Sequence, residues 1–190
     1  ITDWYRIKPD EGAPPSEETV AYVLYDDAAM YIAFQVSEKS AASITTRALE
    51  RDSYDDDQDG IAVLLDTFND DRNAFGFIVT PDGVRTDVAI ANDGEGFGGW
   101  NEDWNSFWDA ATVRTSTGWS AEIRIPFSSL TFRTSEQGVE MGLILWRYMA
   151  RNGEFNIFPK IPNTWRNSAT KPSQALDVHI SGNSQRGAGW

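Results

Sequence analysis

Apolar and polar residues alternate with a period of two along most of this chain, in short runs separated by turn residues. Val20, Tyr22 and Leu24 mark a first strand that ends at Tyr25. After the turn Asp26-Asp27-Ala28, Met30, Ile32, Phe34 and Val36 line one face of a return strand. Ile61 to Leu65 is apolar on both faces and predicts a central, fully covered strand. Asp66 to Asn73 is a polar reversal into Phe75, Phe77 and Val79. Thr80-Pro81-Asp82-Gly83 supplies the next turn, with proline presetting φ and glycine free to take positive φ, before Val84, Thr86, Val88 and Ile90. A stretch rich in Gly and Trp runs from Asn92 to Asp109. Beyond it, Ala111 to Thr115 and Trp119 to Ile125 flank the turn Ser116-Thr117-Gly118, Val139 to Met149 is the longest apolar stretch, and Leu176 to Ile180 closes the series. Eight to ten strands at this spacing predict an all-β, antiparallel, jelly-roll-like β-sandwich. No sustained 3.6-residue pattern is present; Ala42 to Glu50 and Phe127 to Leu130 each allow a helical turn or two. Residues 1–180 read as one domain, and 181–190 as a linker-like tail rich in Gly and Ser.

Composition sharpens this picture. At 190 residues the chain is long enough for a core without staples, and it contains no cysteine, which excludes disulfides, thiolate metal sites and a cysteine nucleophile. The net charge of −13 argues against nucleic-acid or anionic-lipid partners. It is unevenly placed: residues 1–109 hold 24 acids and seven bases, the rest five acids and nine bases. Eight tryptophans either pack a β core or present stacking surfaces.

The acids concentrate from Glu50 to Asp71, where nine accompany a single base, Arg51. Asp55-Asp56-Asp57-Gln58-Asp59-Gly60 matches the opening of a calcium loop, in which alternate side chains converge and a hard cation relieves their repulsion. The twelfth position of a full loop would be Asp66, some 20 Å away along an extended strand at about 3.3 Å per residue, so only the half-loop is retained. Asp55, Asp57 and Asp59 are the expected donors to calcium; the alternative is a solvated acidic loop without an ion. Asp66 with Asn69, Asp70 and Asp71 is a weaker second cluster. Among the indoles, Trp100, Trp104 and Trp108 are spaced by four, but the glycines before them disfavour a helix. Trp108 is expected in the core, and Trp100 or Trp104 as a stacking surface.

Several segments, taken in order, resemble the family 9 carbohydrate-binding modules and their relatives. They are Tyr25-Asp26-Asp27 with Met30 to Ala33, Arg51-Asp52, Asp59 through Thr67, Asp71 to Phe75, Pro81 to Val84 with Asp87, Trp108-Asp109-Ala110, Gly118-Trp119 with Ala121-Glu122, and Ile125-Pro126-Phe127 with Leu130. The resemblance covers about residues 19–150. Relatives include the amino-terminal domain of large bacterial outer-membrane proteins. The resemblance implies a non-catalytic, exported module (periplasmic, outer-membrane-associated or extracellular) that often holds structural calcium and clamps a sugar between two aromatics. By position those aromatics are Tyr54 and Trp165, with Arg147 and Arg151 reaching for ring hydroxyls. Tyr54 stands where the family usually has tryptophan, and Ala62 where its glutamate falls.

Other chemistry is set aside on the same residues. His179, the one histidine, sits in a strand-like alternation with no triad around it. Met30, Met141 and Met149 fit core faces, leaving a haem-binding electron-transfer domain as a third reading. No tuned carboxylate pair for glycoside hydrolysis can be singled out. The leading expectation is a carbohydrate partner; the runner-up is an interaction domain that docks on other domains of its parent protein.

Overall fold

The structure is a computed structural model that describes residues 1–47, 49–164 and 167–181. Its strands are β1 (Tyr5–Lys8), β2 (Thr19–Tyr25), β3 (Ala29–Ser37), β4 (Gly60–Asp66), β5 (Ala74–Val79), β6 (Arg85–Ile90), β7 (Trp100–Asn101), β8 (Asp109–Thr115), β9 (Gly118–Pro126), β10 (Val139–Met149), β11 (Glu154–Phe158) and β12 (Leu176–Ile180). They form two antiparallel sheets. The smaller has the order β2-β3-β9-β8, and the larger runs β1-β11-β10-β4-β5-β6-β7. The length of β10 lets it serve two neighbours on one edge: Leu145 to Met149 pairs with β11, and Val139 to Leu143 pairs with β12.

The sandwich follows from strand parity. Met30, Ile32, Phe34 and Val36 on β3 and Ala121, Ile123 and Ile125 on β9 point inward, where they meet Ile61, Val63 and Leu65 from β4 and Leu143 and Leu145 from β10. Trp108 stands edge-on to Phe77 in this core, with ring centroids 5.2 Å apart. The larger sheet is also covered on its outer face, where Ala62, Leu64, Ile144 and Trp146 join Ile7, Ile157 and Ile161 in a second apolar cluster. Hence every residue of β4 is buried, as its unbroken apolar run predicts.

Three strands have no counterpart in the alternation. β1 and β11 are short and pair with each other, and β7 is two residues long; such pieces become strands only when a neighbour offers its hydrogen bonds. The helical expectation shrinks to single 3₁₀ turns at Ala41–Ser43 and Phe127–Ser129.

One charge penetrates the inter-sheet space. The Arg147 guanidinium, on the core-facing parity of β10, is 1% exposed and ion-paired at 2.6 Å with the equally buried Glu38. It also donates to Thr19 Oγ1 at 2.7 Å and to the Ser37 and Glu18 carbonyls. The pair thus ties β10 to the segments flanking β2 and β3 in the opposite sheet. Burial pushes the Arg147 pKa down from its ordinary value, against the pull of Glu38.

The β4–β5 reversal is organised by another buried acid. Asp66 accepts the backbone N–H groups of Phe68, Asp70 and Asp71. Burial nonetheless holds its carboxyl above the usual range. For Asp70, partial burial is outweighed by hydrogen bonds from the Asn73 side chain and from the Asn73 and Arg72 N–H groups, and its pKa falls.

Two expectations follow. Arg147→Ala leaves Glu38 buried without this partner and should cost about 3–5 kcal/mol in urea unfolding, whereas Arg147→Met combined with Glu38→Leu should cost less than Arg147→Ala alone. A loss below about 1 kcal/mol for Arg147→Ala would refute the tie. In a carboxyl-carbon NMR titration, Asp66 should titrate above the ordinary aspartate value and Asp70 below it. The fold therefore gains from protonated Asp66 below the unfolded value and loses that contribution as pH rises through the folded one; for Asp70 the contribution is present above the unfolded value and lost as pH falls.

Candidate functional site

The second apolar cluster is not fully roofed. Between its covering loops lies an open cleft of about 560 Å³ on the outer face of the larger sheet. β10 provides Trp146 and Tyr148 to its lining, and β11 provides Phe155. These side chains alternate with the core-facing Leu145, Arg147 and Met149, so strand parity alone delivers two successive aromatics to the outside. Trp146 lies 5.3 Å from Phe155 between centroids, and Tyr148 lies 6.1 Å from Phe155.

The acidic loop before β4 adds Tyr54, Asp55 and Asp56. Tyr54 is half-buried and tilted against Trp146, with centroids 5.7 Å apart. Its ring lies so close to the β4 backbone that a Cβ at Gly60 would come within 2.6 Å of ring carbon Cε2, which explains the glycine there. Its hydroxyl is buried without a partner among the described residues, and burial, reinforced by Asp56, drives its pKa upward. The loop is held by Gln58, which donates to the Ser53 carbonyl at 2.9 Å, and by Arg51, paired at 2.6 Å with the fully buried Asp87.

Trp100 and Glu102 line the cleft from the Gly-rich stretch, and Trp100 is 40% exposed. Its indole N–H donates to Glu102 Oε1 at 2.7 Å, leaving the ring face open. This stretch is clamped to the segment before β12. The buried Lys171 ammonium bridges Asp93 and Glu95 at 3.2 and 2.7 Å, Asn167 donates to the Gly94 carbonyl at 3.0 Å, and Gly94 takes positive φ where a side chain would strike Thr170. Asn163, Asn167, Ser168 and Thr170 give this side of the cleft a polar rim. The site is therefore an aromatic wall facing amide and hydroxyl groups, an arrangement that can stack on a ring and hydrogen-bond its substituents.

Of the residues singled out in the sequence, Tyr54 and Trp100 come together in this cleft. Arg147 does not reach it: its parity turns it between the sheets, into the Glu38 pair. Arg151 is engaged by Glu17 and Glu38 at 2.8 and 3.2 Å and does not line the cleft. Trp104 stacks on Phe75 at 4.4 Å on the inter-sheet side of β5 and is packing, not a stacking surface for a ligand. Trp165 lies outside the described residues. Trp146 was legible as a strand residue, and its parity opposite Leu145 was the signal that it faces outward.

The acidic half-loop does not fit a calcium ion. Asp59 is 2% exposed and its two carboxylate oxygens accept the backbone N–H groups of Thr45 and Ala150 at 3.0 and 2.8 Å. Burial raises its pKa. Asp57 pairs with Arg47 at 3.1 Å, and Asp55 accepts the Asp56 N–H at 2.7 Å. The three carboxylates are thus engaged separately, and among the described residues no three acidic or histidine side chains gather into a cation-binding group. Met30, Met141 and Met149, expected on core faces, are core residues at most 1% exposed.

The same architecture occurs in solved structures. A carbohydrate-binding module of family 9 from Caldicellulosiruptor kristjanssonii in complex with cellotriose superimposes with a TM-score of 0.63 at 18% identity, covering 98% of this chain and 86% of that one. Its glucose complex gives a TM-score of 0.63 over 96% of this chain and 86% of that chain, also at 18% identity. No curated protein matches. Residues 10–170 match the family described as carbohydrate family 9 binding domain-like. With its sandwich and this match in agreement, the chain belongs to the carbohydrate family 9 binding domain-like family.

Proposed function

We propose that this chain is a non-catalytic carbohydrate-binding module whose ligand lies in the cleft between Tyr54, Trp100, Trp146 and Tyr148. The observation that carries this reading is the half-exposed Trp100 ring sharing one open cleft with the β10 aromatics and an amide-rich rim. A pyranose presents an apolar C–H face and a polar equator. The ring face would stack on the indole while Asn163 and Asn167 answer the hydroxyls. Tyr54, wedged between Trp146 and Gly60, would fix the wall without adding much contact area of its own. Such a module would act outside the cytoplasm, delivering a parent protein to glycan. Membership in a family of binding modules supports the absence of catalysis.

A second reading, docking on another domain of the parent protein, is favoured by one feature. The outer face of the smaller sheet exposes Tyr22, Leu24 and Val113 at 49%, 66% and 63%, and Tyr22 and Leu24 line a groove together with Ala33 and Ala111. Apolar exposure of this kind is a common mark of an interaction surface.

Calorimetry with cellotriose and glucose tests the first reading. Binding should be measurable, and Trp100→Ala should weaken it at least about tenfold through loss of the stacking face; silence at about 10 mM ligand, with no shift in Tm, would end it. For the second reading, Leu24→Lys in the full-length parent should speed proteolytic release of this domain while cellotriose binding stays as in the wild type. Unchanged release would remove that reading.

A further inference from the structure

The cleft's described lining carries three carboxylates, Asp55, Asp56 and Glu102, against one ammonium, Lys8. None of the three is neutralised by a Lys or Arg among the described residues, in contrast to the adjacent Asp57 with its Arg47 partner. Asp55 and Asp56 are exposed at one side of the aromatic wall, and Glu102 is exposed beside Trp100. The charge of Asp56 is felt by the wall itself. Burial raises the Tyr148 phenol pKa, and Asp56, Asp59 and Asp57 raise it further. No Lys or Arg occurs from Thr86 to Val113, the stretch that contains Trp100, and the whole chain carries −13.

We propose that this cleft selects glycans by charge, preferring chains with free amino groups over neutral ones and rejecting uronates. The inference rests on the glycan-binding reading and adds the substrate class to it. A neutral sugar hydroxyl gains nothing from an excess of negative charge. An ammonium within about 4 Å of one water-exposed carboxylate gains about fivefold in affinity, and a uronate carboxylate loses as much. Asp55 and Asp56, adjacent in sequence on the same wall, act on the same bound ring, and Glu102 lies within reach of the ring stacked on Trp100.

The experiment compares three trisaccharides by calorimetry at about pH 6, where the amines are protonated. They are the β-1,4-linked glucosamine trimer, cellotriose, which differs from it only by a hydroxyl for each ammonium, and trigalacturonate. The glucosamine trimer should bind at least about fivefold tighter than cellotriose at low salt, with trigalacturonate the weakest. The ratio of the first two should fall toward one at about 0.5 M salt. In the double variant Asp55→Asn/Asp56→Asn the same ratio should shrink at low salt. Cellotriose binding with no preference for the glucosamine trimer, or a preference indifferent to salt, overturns this inference and leaves the glycan reading standing. Failure of all three sugars to bind overturns both. The salt series on the wild-type chain decides the matter even if the double variant does not fold.

Discussion

A sheet that must be dry on both faces is the constraint from which the rest of this molecule follows. β4 has no polar face to give to solvent, and β10 has only Arg147 on the inward parity and Glu140 at its start. One face is covered by the smaller sheet. The other has no second sheet over it among the described residues, and the chain covers it with the loop before β4 and with the segment between β11 and β12. Loops are poor roofing, since their backbone must reach water or a partner. Where they fall short, Trp146, Tyr148 and Phe155 are left lining an open cleft. The candidate site is the incomplete part of a hydrophobic cover.

Loops that serve as walls need fixing, and here buried charges do it. Lys171 holds the Gly-rich stretch through Asp93 and Glu95, Arg51 holds the acidic loop through Asp87, and Asp59 holds the end of that loop through the Thr45 and Ala150 amides. Each replaces lost hydration with direct hydrogen bonds, the condition for a charge to remain in a protein interior. This reallocates the acidic run. Residues that look like a set of cation ligands divide into one structural anchor (Asp59), one surface ion pair (Asp57) and two carboxylates on the cleft wall, Asp55 and Asp56, that have no Lys or Arg partner among the described residues.

The misplacements share a cause. The resemblance places Arg147 at the ligand by its position on the β10 segment, yet its neighbours Trp146 and Tyr148 are the residues that face the cleft, and in a strand one residue is a change of face. Trp104 and Trp100 have the same composition around them, and only the partner differs: Phe75 offers Trp104 a flat ring, while Trp100 has Glu102 beside its N–H and stays 40% exposed. Nothing in the local sequence distinguishes a tryptophan that finds a ring from one that does not.

What the amino-acid order determined by itself was everything local in period: the strands from β2 to β6, β8 to β10 and β12, the doubly covered β4, the turn at Pro81-Asp82-Gly83, the core position of Trp108 and the antiparallel sandwich these imply. The ordered set of segments also carried the family. The tertiary structure alone decided which aromatics share a space, that β1 and β11 exist as strands, and which carboxylates are spent on backbone amides. Those outcomes depend on contacts between residues as distant in sequence as Asp59 and Ala150 or Glu38 and Arg147. Periodicity reports the neighbours a residue has along the chain, whereas burial, pairing and charge depend on the neighbours it acquires by folding.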